Sequence, residues 1–223
     1  LGLNVAIVER EHLGGICLNW GCIPTKAMLR SAEVYHLAER AKEFGLSAQK
    51  VSFDLSKIVA RSRKISGQLN QGVGYLLKKN KVTVFSGEAK LLESSTIGIK
   101  IDSEFKKITG KNIILATGAR ARELPGMEAD GKLVWTYKHA LTPSKMPKNL
   151  LVMGSGAIGV EFASFYNTLG ANTTIVEVLD RILPVEDEEI SSFAAEHFTK
   201  QGMTIKTGTR VQKLDRKKDR VLA

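Results

Sequence analysis

Cysteine is nearly absent from this chain: 223 residues contain two, Cys17 and Cys22, with four residues between them. Two cysteines cannot build the disulfide framework of a small secreted protein, so a reducing compartment is the better expectation. Their spacing is not that of zinc-binding pairs, and no second pair or His-x-His partner lies nearby, which argues against a metal site. His12, His36, His139 and His197 show no ligand spacing either. No apolar run reaches the roughly 18 residues of a membrane span. Aromatic residues are sparse at 6%, and the five prolines form no low-complexity tract. Acidic residues are outnumbered by basic ones, 23 to 33, leaving a net charge of +10. That excess is spread along helical stretches and is not interleaved with aromatics. Its one local cluster, Arg216-Lys217-Lys218 with Arg220, alternates with Asp215 and Asp219. It reads as a solvated turn, so neither a nucleic-acid nor a membrane partner is expected. The chain opens on Leu1 rather than Met, and the lack of a visible targeting segment therefore carries no information.

What is present is ordinary globular composition, 43% hydrophobic and 25% charged. That supports one or two domains with a sizeable core. Leu3 to Val8 is a short branched apolar run ending at Glu9, which predicts a buried parallel strand with an acid at its carboxyl end. Helical spacing runs from about Cys22 to Phe44, with Ile23, Ala27, Tyr35, Ala38 and Ala41 facing inward and Gly45 as C-cap. A second helix is predicted over about Leu55 to Lys79, with Ile58, Ile65, Leu69, Val73 and Leu76 on its apolar side. Val82 to Phe85 and Thr96 to Ile101 read as strands, the latter as half of a hairpin or meander. Asn112 to Ala119 reads as another buried strand running into Gly118. From Arg120 to Lys148 the chain is polar, contains Pro125, Pro143 and Pro147, and reads as a connection between domains. After it, strand and helix alternate: Leu150 to Met153, Val160 to Leu169, Thr173 to Glu177, Glu186 to Gln201, Met203 to Lys206. This is a βαβ pattern with a parallel sheet, and the chain then runs through Val211 to Leu214 and a charged turn into an unfinished hairpin.

Three places carry chemistry. Gly154-Ser155-Gly156-Ala157-Ile158-Gly159 sits between a predicted strand and a predicted helix, and Glu177 ends the following strand. In a dinucleotide site Gly154 turns the chain, Gly156 admits the pyrophosphate and Gly159 lets helix and strand pack. The helix start then holds the anion. A carboxylate at Glu177 accepts ribose hydroxyls and repels a 2′-phosphate, favouring NAD over NADP. The plainer reading is a glycine loop that only makes a tight turn. Glu9 ends its strand as Glu177 does, which hints at a second dinucleotide site; an exposed strand-end acid fits equally. Cys17 and Cys22 are either two buried structural thiols or a redox pair. A helix start near Cys22, with Lys26 one turn on, would stabilise a thiolate. The acidic run Glu186-Asp187-Glu188-Glu189 is charge in a helix's first turn.

The segment Gly14-Gly15-x-Cys17-x-Asn19-x-Gly21-Cys22-Ile23-Pro24-x-Lys26 is the most specific in the chain. Together with Ala116-Thr117-Gly118, the glycine loop running into Val160-Glu161-Phe162, and Glu177 through Glu186 (EVLDRILPVE), it resembles the flavin-dependent pyridine nucleotide–disulfide oxidoreductases. The likeness is colinear over the whole chain and, within the family, is to the branch that reoxidises dihydrolipoyl groups. It implies an α/β fold of two dinucleotide-binding, Rossmann-like three-layer domains, both incomplete. Residues 1–147 would be a partial FAD-binding domain with the redox-active disulfide helix, and residues 148–223 a partial NAD-binding domain. The implied cofactors are FAD and NAD.

By the same resemblance Glu9 would bind the FAD ribose, and Gly14, Gly15, Thr117 and Gly118 would lie beside that cofactor. Cys17 would be the outer thiol facing the lipoyl substrate and Cys22 the inner one facing the flavin. Lys26 and Glu161 would form an ion pair near the flavin ring, and Gly154, Gly156, Gly159 and Glu177 would bind NAD. The implied partners are the lipoyl domains and acyltransferase core of 2-oxo acid dehydrogenase complexes, with a homodimeric enzyme in the bacterial cytoplasm or the mitochondrial matrix. The family's first glycine loop, the remainder of the NAD unit and the C-terminal interface domain with its His–Glu pair are not in the sequence. The chain is therefore expected to be a fragment, inactive by itself. The neighbouring expectations are a glutathione- or mercuric-type reductase and an inactive dinucleotide-binding module; Glu177 followed by Val178 and Leu179, rather than by basic residues, argues against a glutathione reductase.

Overall fold

A computed structural model describes residues 2–223; Leu1 lies outside the described residues. In chain order the elements are β1 (Ala6–Glu9), α1 (Gly15–Trp20), α2 (Cys22–Glu39), α3 (Leu55–Lys79), β2 (Thr83–Ser86), β3 (Glu88–Glu93), β4 (Thr96–Ile101) and β5 (Glu104–Thr109). They continue with α4 (Tyr137–Leu141), β6 (Asn149–Met153), α5 (Ala157–Thr168), β7 (Asn172–Val176), α6 (Glu188–Lys200), β8 (Thr204–Lys206), β9 (Asp215–Arg216) and β10 (Val221–Leu222). The chain divides into two compact units. One holds the residues up to Ile23 together with Arg63–Arg120, and the other holds Pro24–Ser62 and Ala121–Ala223.

In the first unit β1 and β2 pair in parallel, Ala6 opposite Thr83 and Glu9 opposite Ser86. β3, β4 and β5 form an antiparallel meander around the fully buried Ile99. The meander expected around Thr96 to Ile101 is therefore present, and its turn places Asp102 at φ 49°. β1 starts at Ala6 rather than Leu3 and is half-exposed rather than buried, because it has one neighbouring strand among the described residues. The larger departure is Asn112 to Ala119, which forms no strand. Ile114 is 90% and Leu115 69% exposed. An apolar, branched run becomes a strand only when a neighbouring edge takes its backbone N–H and C=O groups, and no described strand offers one.

The long helices fall close to expectation. α3 has the predicted bounds, although its most buried side chains are Ser62 and Ser66, whereas Leu69 and Leu76 stay about half-exposed. α2 stops at Glu39 instead of running on to Phe44. Residues Ala41–Phe44 tighten into a 3-10 turn, and Gly45 closes it at φ 72° with its N–H donated to the Lys42 carbonyl. Such tightening is common where a helix ends.

In the second unit β6, β7 and β8 make a parallel sheet in that order, with α5 and α6 as the crossovers. This is the expected βαβ pattern. Its core is Val160, Ala163, Ile175 and Met203, with Val152, Leu183 and Phe198 packed against them. α6 starts at Glu188 rather than Glu186: Asp187 caps it by accepting the Glu189 N–H at 2.9 Å, so of the acidic run Glu188 and Glu189 sit in the first turn and Glu186 precedes the helix. The short helix α4 was not foreseen within the polar stretch. Thr136 and His139 form its capping box, and the Tyr166 hydroxyl anchors it by donating to the Ala140 carbonyl at 2.7 Å. Val211 to Leu214 is not a strand; the hairpin is β9 and β10, two residues each, around the charged turn.

Candidate functional site

Cys17 and Cys22 are joined as a disulfide, with Cα atoms 4.7 Å apart. The bond links α1 to the first residue of α2. Gly14 and Gly15 enter α1 with φ of 95° and 69°, a backbone path that side chains rarely follow. Between the helices a Cβ at Gly21 would sit 3.1 Å from the Cys17 Cα and from the Ile16 carbonyl oxygen, so glycine lets the ring close tightly. Both cysteines are exposed, which removes the reading of them as buried structural thiols. Against the Cys17 side lies an apolar recess of about 400 Å³ lined by Gly14, Leu18, Ile23, Leu69, Val73 and Leu76.

The loop carrying Cys17 is held by a polar cluster that sequence reasoning missed. The buried Asn19 donates its amide to the carbonyls of Leu13 (2.9 Å) and Gly15 (2.8 Å). From α3, Asn70 donates to the Leu13 carbonyl (2.6 Å) and reaches the Asn19 oxygen (3.3 Å). Arg63 donates to the Asn19 carbonyl (2.7 Å) and lies 4.2 Å over the Trp20 ring. Only Asn19 belonged to a recognisable motif. Arg63 and Asn70 are 44 and 51 residues further along, with no local signal to mark them.

Lys26 follows Cys22 by one turn of α2. Its ammonium meets Glu161 of α5 at 2.5 Å, as the resemblance implied. The lysine side chain is 62% exposed, so this pair adds little stability, at most about 1 kcal/mol. What it does is hold the Lys26 ammonium of α2 against α5.

At the glycine loop Gly154 has φ 98° and donates its N–H to the Val176 carbonyl at 2.8 Å. A Cβ at Gly159 would lie 2.2 Å from the Gly154 carbonyl oxygen, so the helix and loop approach there only with glycine. Gly156 stands at the N-cap of α5 with open space around it and no capping side chain. The first-turn N–H groups of α5 are thus left without a side-chain cap, as an anion site requires. Glu177 follows β7 and is 6% exposed, yet fully engaged. Its Oε2 accepts the Ser155 N–H (2.9 Å) and hydroxyl (2.7 Å), and its Oε1 accepts the Leu179 N–H (3.0 Å). Burial alone would raise the Glu177 pKa; these donors outweigh it and hold the carboxyl below its ordinary range.

Glu9 repeats part of this arrangement at the end of β1, its Oε1 accepting the N–H of Glu11 two residues on at 2.8 Å. Thr117 and Gly118 are brought to no strand end; both are exposed, with Gly118 at φ 74°. The open cradle at Gly156, the uncapped start of α5 and the ionised Glu177 together fit a pyridine dinucleotide. For a flavin nucleotide the fit rests on Glu9. Among the described residues no three His, Cys, Asp or Glu side chains cluster as metal ligands.

A disulfide on a glycine-rich helix entry and a glycine-loop βαβ unit in the same chain define a class of redox protein, and the whole chain, residues 1–223, matches the model of the family described as pyridine nucleotide-disulphide oxidoreductase. The chain belongs to that family. It is similar to the dihydrolipoyl dehydrogenase of Zymomonas mobilis, 55% identical over 96% of this chain and 46% of that protein. It is also similar to the dihydrolipoyl dehydrogenase of Rhizobium etli, 52% identical over 97% of this chain and 48% of the relative. Among solved structures it resembles LpdA from Mycobacterium tuberculosis, with a TM-score of 0.90 and 25% identity, covering 98% of this chain and 48% of the other. The chain spans about half the length of these relatives.

Proposed function

We propose that this chain is the disulfide-bearing part of a dihydrolipoyl dehydrogenase, with the Cys17–Cys22 bond as the group that accepts electrons from a protein-bound dihydrolipoyl dithiol. The carrying observation is the exposed disulfide at the start of α2, which also presents Lys26 paired to Glu161. A substrate thiolate attacks Cys17, the Cys17–Cys22 bond breaks, and Cys22 leaves as a thiolate. The second substrate thiol then displaces Cys17 from the mixed disulfide, releasing the cyclic lipoyl disulfide and leaving both cysteines reduced. The apolar recess beside Cys17 suits the hydrocarbon of a lipoyl arm. The position of Cys22 at a helix start, four residues before Lys26, favours the thiolate. FAD, when bound, would supply the two-electron redox chemistry that links the reduced cysteines to NAD⁺.

In this reading Glu9 binds the FAD ribose, with Gly14, Gly15, Thr117 and Gly118 nearby, and Lys26–Glu161 lies close to the flavin ring. Gly154, Gly156, Gly159 and Glu177 hold NAD. Residues 1–147 belong to an FAD-binding domain and 148–223 to an NAD-binding domain in this reading; the unbroken β6–α5–β7–α6–β8 run supports the second, whereas the division into compact units groups residues 24–62 and 121–147 with it. The partners are the lipoyl domains and acyltransferase core of a 2-oxo acid dehydrogenase complex, and the enzyme is a homodimer. The named relatives are bacterial, which favours the cytoplasm over the mitochondrial matrix. Among the described residues no helix is long and apolar enough to cross a membrane.

The test is an assay of the full-length protein with dihydrolipoamide and NAD⁺. Turnover is expected, with Cys17→Ser and Cys22→Ser each lowering it by about a thousandfold or more. Preferential turnover of glutathione disulfide with NADPH would overturn the assignment.

A further inference from the structure

The glycine loop contains one residue whose role is not explained by phosphate binding. Ser155 lies between Gly154 and Gly156, is completely buried, and aims both its donors at one atom, the Oε2 of Glu177. Its own carbonyl accepts the Leu183 N–H at 3.0 Å, so the residue is fixed from both sides. Glu177 is fixed by its backbone as well: its N–H donates to the Lys206 carbonyl and its carbonyl accepts the Thr209 N–H, each at 2.9 Å. A nearly buried carboxylate keeps its charge only where donors replace the water it has lost. Here the shortest of those donors is the Ser155 hydroxyl.

We propose that Ser155 is the positioning residue for nucleotide selectivity: its hydroxyl and N–H hold the Glu177 carboxylate ionised and oriented at the end of β7, so that the site takes a dinucleotide with a free ribose 2′-hydroxyl and rejects one with a 2′-phosphate. This rests on the reading of the glycine loop as an NAD site. Selectivity depends on Glu177 being both negative and fixed, since a neutral or swung carboxyl neither repels phosphate nor presents an acceptor to the hydroxyl. Without the serine hydroxyl, Glu177 loses a charge-assisted hydrogen bond in a site with little water to replace it. The backbone donor alone then holds Oε2.

The experiment measures dissociation constants of NADH and NADPH for the full-length protein by calorimetry, for the native sequence, Ser155→Ala, Ser155→Cys, Ser155→Thr and Glu177→Gln. Ser155→Ala is expected to weaken NADH by about tenfold while NADPH is unchanged or tightened, so that the NADH-to-NADPH preference falls by about tenfold or more. Ser155→Cys, close in volume but a poor donor, moves the ratio the same way and serves if the alanine variant does not fold. Ser155→Thr, which retains the hydroxyl, preserves most of the preference. If Glu177→Gln collapses the preference and neither Ser155→Ala nor Ser155→Cys does, the proposal is overturned while the NAD reading stands. Equal weakening of both nucleotides in the serine variants also overturns it, since that is loop damage and not selectivity. A native protein without preference for NADH, or one indifferent to Glu177→Gln, overturns the NAD reading itself.

Discussion

One oxygen of the Asp130 carboxylate accepts three successive backbone N–H groups, from Lys132 (2.8 Å), Leu133 (2.8 Å) and Val134 (2.9 Å). The Arg216 guanidinium lies 3.9 Å from the other oxygen and also donates to the Glu128 carbonyl, tying the β9 hairpin to this loop. Partial burial works against the charge, but the three N–H donors and Arg216 prevail and lower the pKa from its ordinary 3.8 to about 2. A carboxyl whose folded pKa is depressed contributes stability that is complete above its unfolded value and disappears as pH falls through the folded one. Asp130 should therefore stabilise the fold above about pH 4, and that contribution should be lost progressively as pH falls from about 4 through about 2. Replacing it, Asp130→Asn, is expected to remove most of this at neutral pH. Urea titrations at pH 7 and pH 1.5 check it: the variant should be less stable than the parent at pH 7, and most of that gap should be closed at pH 1.5, below the folded pKa. The same physics explains Glu177, where donors also overcome burial, there at the end of β7 and not in a surface loop.

At the scale of elements, α3 matters more to the disulfide than its distance in sequence implies. Asn70 and Arg63 reach back to Leu13 and Asn19 and thereby hold α1, the helix that carries Cys17. Removing the Asn70 amide leaves the Leu13 carbonyl and the Asn19 side chain each short of a partner in a largely buried setting. Asn70→Ala should cost about 1–3 kcal/mol in unfolding free energy. It should also loosen the approach of Cys17 to Cys22, so that the disulfide becomes easier to reduce, by several-fold in its equilibrium with a glutathione buffer. A variant with lower stability but an unchanged thiol–disulfide equilibrium would separate the two effects and sink the second. The bounds of α3 were readable because a 3.6-residue apolar rhythm is local. Which face it buries was not, because Ser62 and Ser66 go inside through packing that no periodicity records. The same divide runs through the site. The cysteine spacing, Gly154, Gly159 and Glu177 announce themselves in sequence, whereas the meeting of Ser155 with Glu177 depends on β7 lying beside β6 in one register.

For the molecule as a whole, the decisive contrast is between apolar side chains that find cover and those that do not. In the βαβ unit Val160, Ala163, Ile175 and Met203 are all but sealed, because crossover helices and a three-stranded sheet shield one another. In the other unit Ile114 and Leu115 stand open on a backbone that pairs with no strand among the described residues, in a run whose composition asks for a central strand. The mistaken strand at Asn112 to Ala119 therefore reflects a sound rule applied where the required neighbour is not among the described residues. Alternation and branching report a propensity; pairing is a property of the assembled sheet. An apolar extended segment with free backbone donors is the usual template for edge-to-edge association. The 223-residue chain on its own should accordingly self-associate at micromolar concentration, in spite of its net charge of +10, with dye-detectable exposed apolar surface. Substituting Ile114→Ser together with Leu115→Lys should reduce that association several-fold in sedimentation velocity without lowering the melting temperature, since neither side chain is packed. If the double variant associates as strongly as the parent, the sticky surface lies elsewhere, and the next place to test is Val185 and Phe193, which are 90% and 70% exposed.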